Sequence, residues 1–169
     1  MVSKAMHEFG DKGVKSKSIF GTDGIRGNAK KIFTPKLVFQ LGYAVGLTLP
    51  QERPIIIGND SRESCSMIIR ALTDGLKYSG REVWQLGLCP TPAVPFLINK
   101  FEASGGLMVS ASHNQPSDNG IKFFRSDGNK INTKEEQLIE KIIKSENLDR
   151  KGYGVQYQKN DLLEFYKQS

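Results

Sequence analysis

Three short stretches of this sequence gather groups that hold anions or move a phosphoryl group. Gly21-Thr22-Asp23-Gly24-Ile25-Arg26-Gly27 combines three glycines with an arginine. The glycines let backbone approach a ligand closely, and the planar guanidinium fork suits a phosphate. Asn59-Asp60-Ser61-Arg62 is a polar loop with a second arginine. Ser110-Ala111-Ser112-His113-Asn114 sets a serine beside a histidine, the types of a nucleophile and its base. Sequence neighbours rarely face each other, however, and no third orienting group is evident. The chain also lacks a Gly-x-Ser-x-Gly elbow and a Walker loop, which argues against serine hydrolysis and P-loop nucleotide chemistry. Taken singly, the three stretches read first as a glycine turn, a helix cap and a solvated loop.

The combination says more. Phe20-Gly-Thr-Asp-Gly-Ile-Arg-Gly27, Pro90-Thr-Pro92, Val109-Ser-Ala-Ser-His-Asn114 and Asp118-Asn-Gly-Ile-Lys-Phe-Phe124 follow one another along the chain. In that order they resemble the first domain of the α-D-phosphohexomutase superfamily, and the resemblance runs from residue 18 to residue 169. Within the superfamily the strings are most similar to the branch that interconverts glucosamine 6-phosphate and glucosamine 1-phosphate. The glucose and mannose phosphate branches, or a non-catalytic phosphosugar- or protein-binding module of the same fold, are the alternatives.

The resemblance implies a phosphoserine at Ser112, which hands its phosphoryl group to a sugar monophosphate through a sugar 1,6-bisphosphate intermediate. It implies that His113 shapes the serine loop, that Lys122 lies near the transferring group and that Arg26 supports the same region. Thr22, Asn114 and Arg62 are expected to bind substrate or phosphate. Lysine and arginine suit those places, because phosphoryl transfer needs positioning and cations around the moving oxygens. Mg²⁺ is expected on the serine phosphate, with its remaining ligands on an Asp-Gly-Asp loop of a second domain. No such loop occurs here, so residues 151–169 are expected to be a connection toward an absent domain, and this chain alone to be inactive. Three positions depart from the pattern: Gln115 where proline is common, Asn59 where arginine is frequent, and Cys65 where a Ser-Gly turn is usual.

The elements that must position these loops are legible from residue 18 onward. Thr34-Pro35 is an N-cap with proline at the first helical position, ahead of Leu37, Leu41, Val45 and Leu49 on one face. Pro54 to Gly58 reads as a buried strand, and Ile68, Leu72 and Leu76 mark a second helix that Gly80 ends. A strand over 82–88 leads to Thr91-Pro92, which read as the cap and first position of a helix over 93–100. Strands follow at 107–109 and 120–124. Thr133 with Glu136 reads as a capping box before Leu138, Ile139, Ile142 and Ile143, and residues 160–167 as a last helix. Such alternation gives a three-layer α/β/α domain. By resemblance its sheet is mixed and mostly parallel. Its bounds are expected at 18–150.

The 169 residues suit one domain, and 38% hydrophobic with 25% charged residues is an ordinary globular composition. Two cysteines are too few for a disulfide framework. The polar residues 1–17 are expected to be a disordered leader or expression remnant. The net charge of +6 is dispersed, without basic runs or an aromatic platform, so no nucleic-acid partner is expected. No apolar run reaches the length that spans a bilayer, so no membrane partner is expected and the cytoplasm is the expected compartment. The expected ligand is a hexose or hexosamine phosphate, with further mutase domains as the remaining partners.

Overall fold

Alternating side chains within single strands divide the core in two. Ile55 and Ile57 face Leu41, Val45, Ile68, Leu72 and Ile139, whereas Ile56 between them faces Val94, Leu97 and Ile98. Leu107 and Val109 repeat the pattern against Met108, and Ile121 and Phe123 against Phe124. A sheet that is apolar on both faces must be covered on both, which dictates three layers.

The computed structural model describes residues 18–169; the expected leader over 1–17 lies outside the described residues. The elements run β1 (Ile25–Asn28), α1 (Ala29–Ile32), α2 (Pro35–Thr48), β2 (Ile55–Asn59), α3 (Cys65–Tyr78) and β3 (Val83–Leu88). They continue with α4 (Ala93–Phe101), β4 (Gly105–Val109), β5 (Asp118–Arg125), α5 (Thr133–Ser145), β6 (Gln156–Gln158) and α6 (Asn160–Lys167). The strands form one six-stranded sheet in the order β1-β5-β4-β2-β3-β6. β2 is parallel to β3 and β4, and β3 to β6, while β5 is antiparallel to both β4 and β1. The expected mixed, mostly parallel α/β/α architecture is the one observed. Helices α2, α3 and α5 carry one half of the core, and α4 and α6 the other.

The helix signals act as their chemistry requires. Thr34 Oγ1 accepts from Leu37 N with Pro35 at the first position, and Gly80 takes φ +85 just beyond α3. α2 and α3 touch backbone to backbone: a Cβ on Gly75 would sit 2.1 Å from Phe39 O. Three details differ from expectation. The cap of α4 is Pro92 itself, in helical conformation and without a side-chain bond, so Thr91 does not cap it. The capping box lies one residue earlier, between Asn132 and Glu135, since asparagine is at least as good a cap as threonine. Leu138, next to the buried Ile139, is rotated about 100° round the helix and stays 44% exposed.

Two edge strands and a short helix carried no apolar signal. β1 pairs with β5 from Ile25↔Ile121 to Asn28↔Asp118, and α1 follows it directly. Residues 156–158, inside the expected connection, join β3 as exposed strand β6. After them α6 buries Leu162 on the sheet's second face. Among the described residues no helix is long and apolar enough to cross a membrane.

Candidate active site

Loops after parallel strands meet at the carboxyl end of the sheet, where α/β domains place ligands. Residues 60–64 follow β2 and residues 110–117 follow β4, and the two are joined at once by Asp60 N donating to Val109 O (3.1 Å). The first glycine-rich stretch follows no strand among the described residues. Gly21 to Gly24 is a tight turn that precedes β1, closed by Gly21 N on Gly24 O (2.8 Å), and Arg26 stands on the strand itself. Gly24 has φ +81, and a Cβ there would lie 2.1 Å from Ile121 O, so the turn is seated against β5.

Ser112 holds a left-handed backbone, φ +56. The other two non-glycine residues with positive φ among those described, Glu102 and Glu146, are helix C-caps, where that conformation is routine. At Ser112 no helix ends, and the conformation costs a non-glycine residue about 1–2 kcal/mol. Neighbouring groups hold it there. Ser110, buried, accepts the Ser112 amide on its Oγ (2.9 Å). Arg62 donates through Nη2 to the carbonyls of Ser112 (2.8 Å) and Asn114 (2.9 Å), and through Nη1 to those of Gln115 (2.6 Å) and Asp118 (2.9 Å).

The fifth N–H of Arg62, on Nε, reaches Asp60 Oδ2 at 3.1 Å. Asp60 Oδ1 accepts in turn from the Arg62 amide (3.0 Å) and from Cys65 Sγ (3.2 Å). Burial pushes the Asp60 carboxyl up, but hydrogen bonds from Ser110, the Arg62 amide and Cys65, with the Arg62 charge, hold it below the usual carboxylate range. Burial raises the Cys65 thiol to about 11, so it stays protonated and serves as a donor. Asn114 turns back on its own loop, Nδ2 to Asp118 Oδ2 at 3.3 Å. The Ser112 hydroxyl is exposed, and its 3.5 Å separation from His113 Nδ1 is long for a hydrogen bond.

A second group of side chains collects on Asp23. Its Oδ2 takes Arg26 Nη2 at 2.6 Å and Lys122 Nζ at 3.4 Å, and Lys130 Nζ closes on Oδ1. The hydrogen bond from Lys130, with the charges of Lys122 and Lys130, outweighs burial and lowers the Asp23 pKa. Three cations on one carboxylate leave a positive surplus that suits a phosphate dianion. Exposed Thr22 lines a cavity of about 50 Å³ here with Asp23, Lys122, Lys130 and Glu136. Gly120 links the two groups, since a Cβ on it would lie 2.7 Å from Ser110 O and 2.9 Å from Arg26 Cγ. The Arg26 stem thus runs beside the start of the serine loop.

The expected residues therefore fall into two adjoining sets. Ser112, His113, Asn114 and Arg62 belong to the serine loop and its support, and Arg26, Lys122 and Thr22 belong to the Asp23 cluster. Sequence reasoning missed Asp23, Lys130, Asp60 and Ser110. Asp23 sat in plain view inside the first motif and Asp60 inside the second. Lys130 carried no signal, because only the fold of β5 and the segment after it brings it to Asp23. Among the described residues no group of three or more His, Cys, Asp or Glu could hold a metal ion.

Comparison with known proteins agrees with this fold. Residues 17–150 match the family described as phosphoglucomutase/phosphomannomutase, alpha/beta/alpha domain I. A phosphoglucosamine mutase of Prochlorococcus marinus (strain MIT 9313) is 49% identical over 173 aligned residues, covering 99% of this chain and 37% of that protein. One from Synechococcus sp. (strain CC9311) is 58% identical over 125 residues, 74% of this chain and 28% of its own. The crystal structure of a phosphoglucomutase/phosphomannomutase family protein from Burkholderia thailandensis superposes with a TM-score of 0.75 at 27% identity, over 86% of this chain and 33% of that one. The chain thus spans between 28% and 37% of the length of these relatives.

Proposed function

The chain belongs to the phosphoglucomutase/phosphomannomutase family, whose α/β/α domain I it carries, and from that premise we propose that it supplies the phosphoryl-carrying serine of a phosphosugar mutase. The carrier is Ser112. One observation supports this above the rest: an exposed serine hydroxyl sits on the only left-handed, non-glycine backbone outside a helix cap among the described residues, held there by Ser110 and Arg62. Strain kept in place at so much structural effort points to a functional site.

In the proposed reaction a hydroxyl oxygen of the bound sugar phosphate attacks the phosphorus on Ser112. The new P–O bond forms as the P–O bond to Ser112 Oγ breaks, and the proton of the sugar hydroxyl passes to Oγ or to a nearby base. The product is a sugar 1,6-bisphosphate. Transfer of its other phosphoryl group back to Ser112 Oγ leaves the isomeric monophosphate and restores the carrier. Lys122 and Arg26 offset charge on the equatorial oxygens, which is most of what a protein contributes to such a step. The sugar is glucosamine phosphate, because the relatives cited above at 49% and 58% identity are named phosphoglucosamine mutases.

Mg²⁺, implied by the resemblance, does not fit a site made by the described residues alone. A Ser112 phosphate would be one ligand, and no carboxylate cluster stands ready to complete the shell. The sugar grip and any further ligands are assigned to segments that the relatives possess beyond the span matched by this chain.

The test is Ser112→Ala in the complete reading frame that contains this chain. Turnover of glucosamine 6-phosphate, primed with a sugar 1,6-bisphosphate, should fall to background. The peptide spanning residue 112 should carry a phosphoryl group in the wild type and none in Ser112→Ala, as read by mass spectrometry. Near-normal turnover by Ser112→Ala would overturn the carrier assignment.

A further inference from the structure

Arg62 was expected to bind phosphate, yet every N–H of its guanidinium already has a partner inside the protein. Four donate to the carbonyls of Ser112, Asn114, Gln115 and Asp118, and the fifth to Asp60. The side chain is only 11% exposed. An arginine in that state has no donor left for a ligand, and pulling one away would strand a carbonyl or the carboxylate in a partly buried site. We propose that Arg62 is a positioning residue: a clamp that gathers the carbonyls of the serine loop on one cation and so keeps Ser112 in its left-handed conformation.

The proposal rests on the assignment of Ser112 as carrier and deepens it. Four carbonyl dipoles aimed at one point repel one another unless a cation sits among them. With the guanidinium present they are bound, and a planar fork fixes both their directions and their spacing. The clamp grips the loop at the strained residue and on its C-terminal side, from Ser112 to Asp118. Ser110 Oγ completes the hold by taking the Ser112 amide, while its hydroxyl bonds Asp60. Asp60 therefore anchors both ends of the device, through Arg62 and through Ser110. Asp60 follows directly from β2 and Ser110 from β4, so the sheet's rigidity is transmitted to the loop. A lysine could replace the charge but not the five-donor geometry.

The test uses Arg62→Ala and Arg62→Lys in the complete reading frame, with amide hydrogen exchange, steady-state kinetics and the phosphorylation state of Ser112. Exchange across residues 112–118 should quicken by about tenfold or more in both variants, while β2 keeps its protection, because only the loop is released. kcat should drop by about 100-fold, the scale of a small misplacement at a reacting centre, with KM for the sugar phosphate within about threefold of wild type. Methylguanidinium at a non-denaturing concentration should restore part of the kcat of Arg62→Ala. It should do nothing for Arg62→Lys, whose side chain fills the site.

Unchanged exchange over 112–118, or a rise in KM with loop protection intact, would overturn the clamp and return Arg62 to ligand binding. If Arg62→Ala does not fold, Arg62→Lys decides alone, and wild-type kcat in that variant overturns the proposal. The two readings fail separately. A wild-type protein with neither turnover nor phosphoryl-Ser112 would sink the mutase assignment, while the exchange comparison would still decide whether Arg62 holds the loop.

Discussion

A serine in the left-handed region gives up about 1–2 kcal/mol that glycine would not lose, so Ser112 separates stability from chemistry in a single residue. Its hydroxyl is exposed and contributes little to folding. Ser112→Gly should relieve the strain, offset in part by the greater chain entropy of glycine, and leave the protein as stable as wild type or more so by up to about 1 kcal/mol. The same substitution removes the oxygen that would carry the phosphoryl group, so turnover should vanish. Urea unfolding beside an activity assay checks both halves. A Ser112→Gly protein that is both inactive and destabilised by more than about 1 kcal/mol would show that the conformation is not strained in this loop. Ser110, two residues earlier, behaves oppositely: it is buried, and its hydroxyl holds backbone rather than facing solvent. The sequence places the two serines alike in one loop, and only the fold distinguishes the exposed one from the buried one.

Elements with their own local signal were readable, and elements made by partners far along the chain were not. The Thr34-Pro35 cap, the Ile68, Leu72 and Leu76 face and the β-branched run at Ile55 to Ile57 each carry a propensity or a period within a few residues. β1 and β6 are four and three residues long at the two sheet edges, where backbone pairing needs no apolar alternation. Arg81 is the clearest case of a silent element. No local pattern marks it as buried, but it is 1% exposed and donates to the carbonyls of Gly46, Leu49, Pro50 and Arg53. It thus satisfies the free end of α2 and the segment that leads into β2. Burial lowers its pKa to about 10, which still leaves it charged at neutral pH. Arg81→Leu would fill the space but strand those carbonyls, and should cost at least about 3 kcal/mol in urea unfolding. Arg81→Lys should recover only part of this, since one ammonium cannot reach all four. A loss below about 1 kcal/mol for Arg81→Leu would mean that water replaces the guanidinium at little cost.

At the scale of the whole molecule, the groups proposed to carry a phosphoryl group stand beside a cavity too small for a sugar. The cavity at Asp23, Lys122 and Lys130 is about 50 Å³, against roughly 300–1,000 Å³ for a small-molecule pocket. A larger hollow of about 260 Å³ is lined by Phe39, Asp74, Tyr78, Arg150 and Tyr153. It lies at the Tyr78 end of α3, whereas Cys65 and the serine loop are at the other end, about 20 Å away along the axis. Positioning supplies much of the rate of phosphoryl transfer, so a carrier serine without a sugar grip should be nearly inert. The purified 169-residue chain, given glucosamine 6-phosphate, Mg²⁺ and a sugar 1,6-bisphosphate, should therefore show no mutase turnover. The complete reading frame should turn over if it adds segments that close a pocket against Ser112, as the relatives' greater length allows. Robust turnover by the 169-residue chain alone would mean that the open face around Ser112, Arg26 and Lys122 grips the sugar unaided, and the division of labour proposed here would have to be given up.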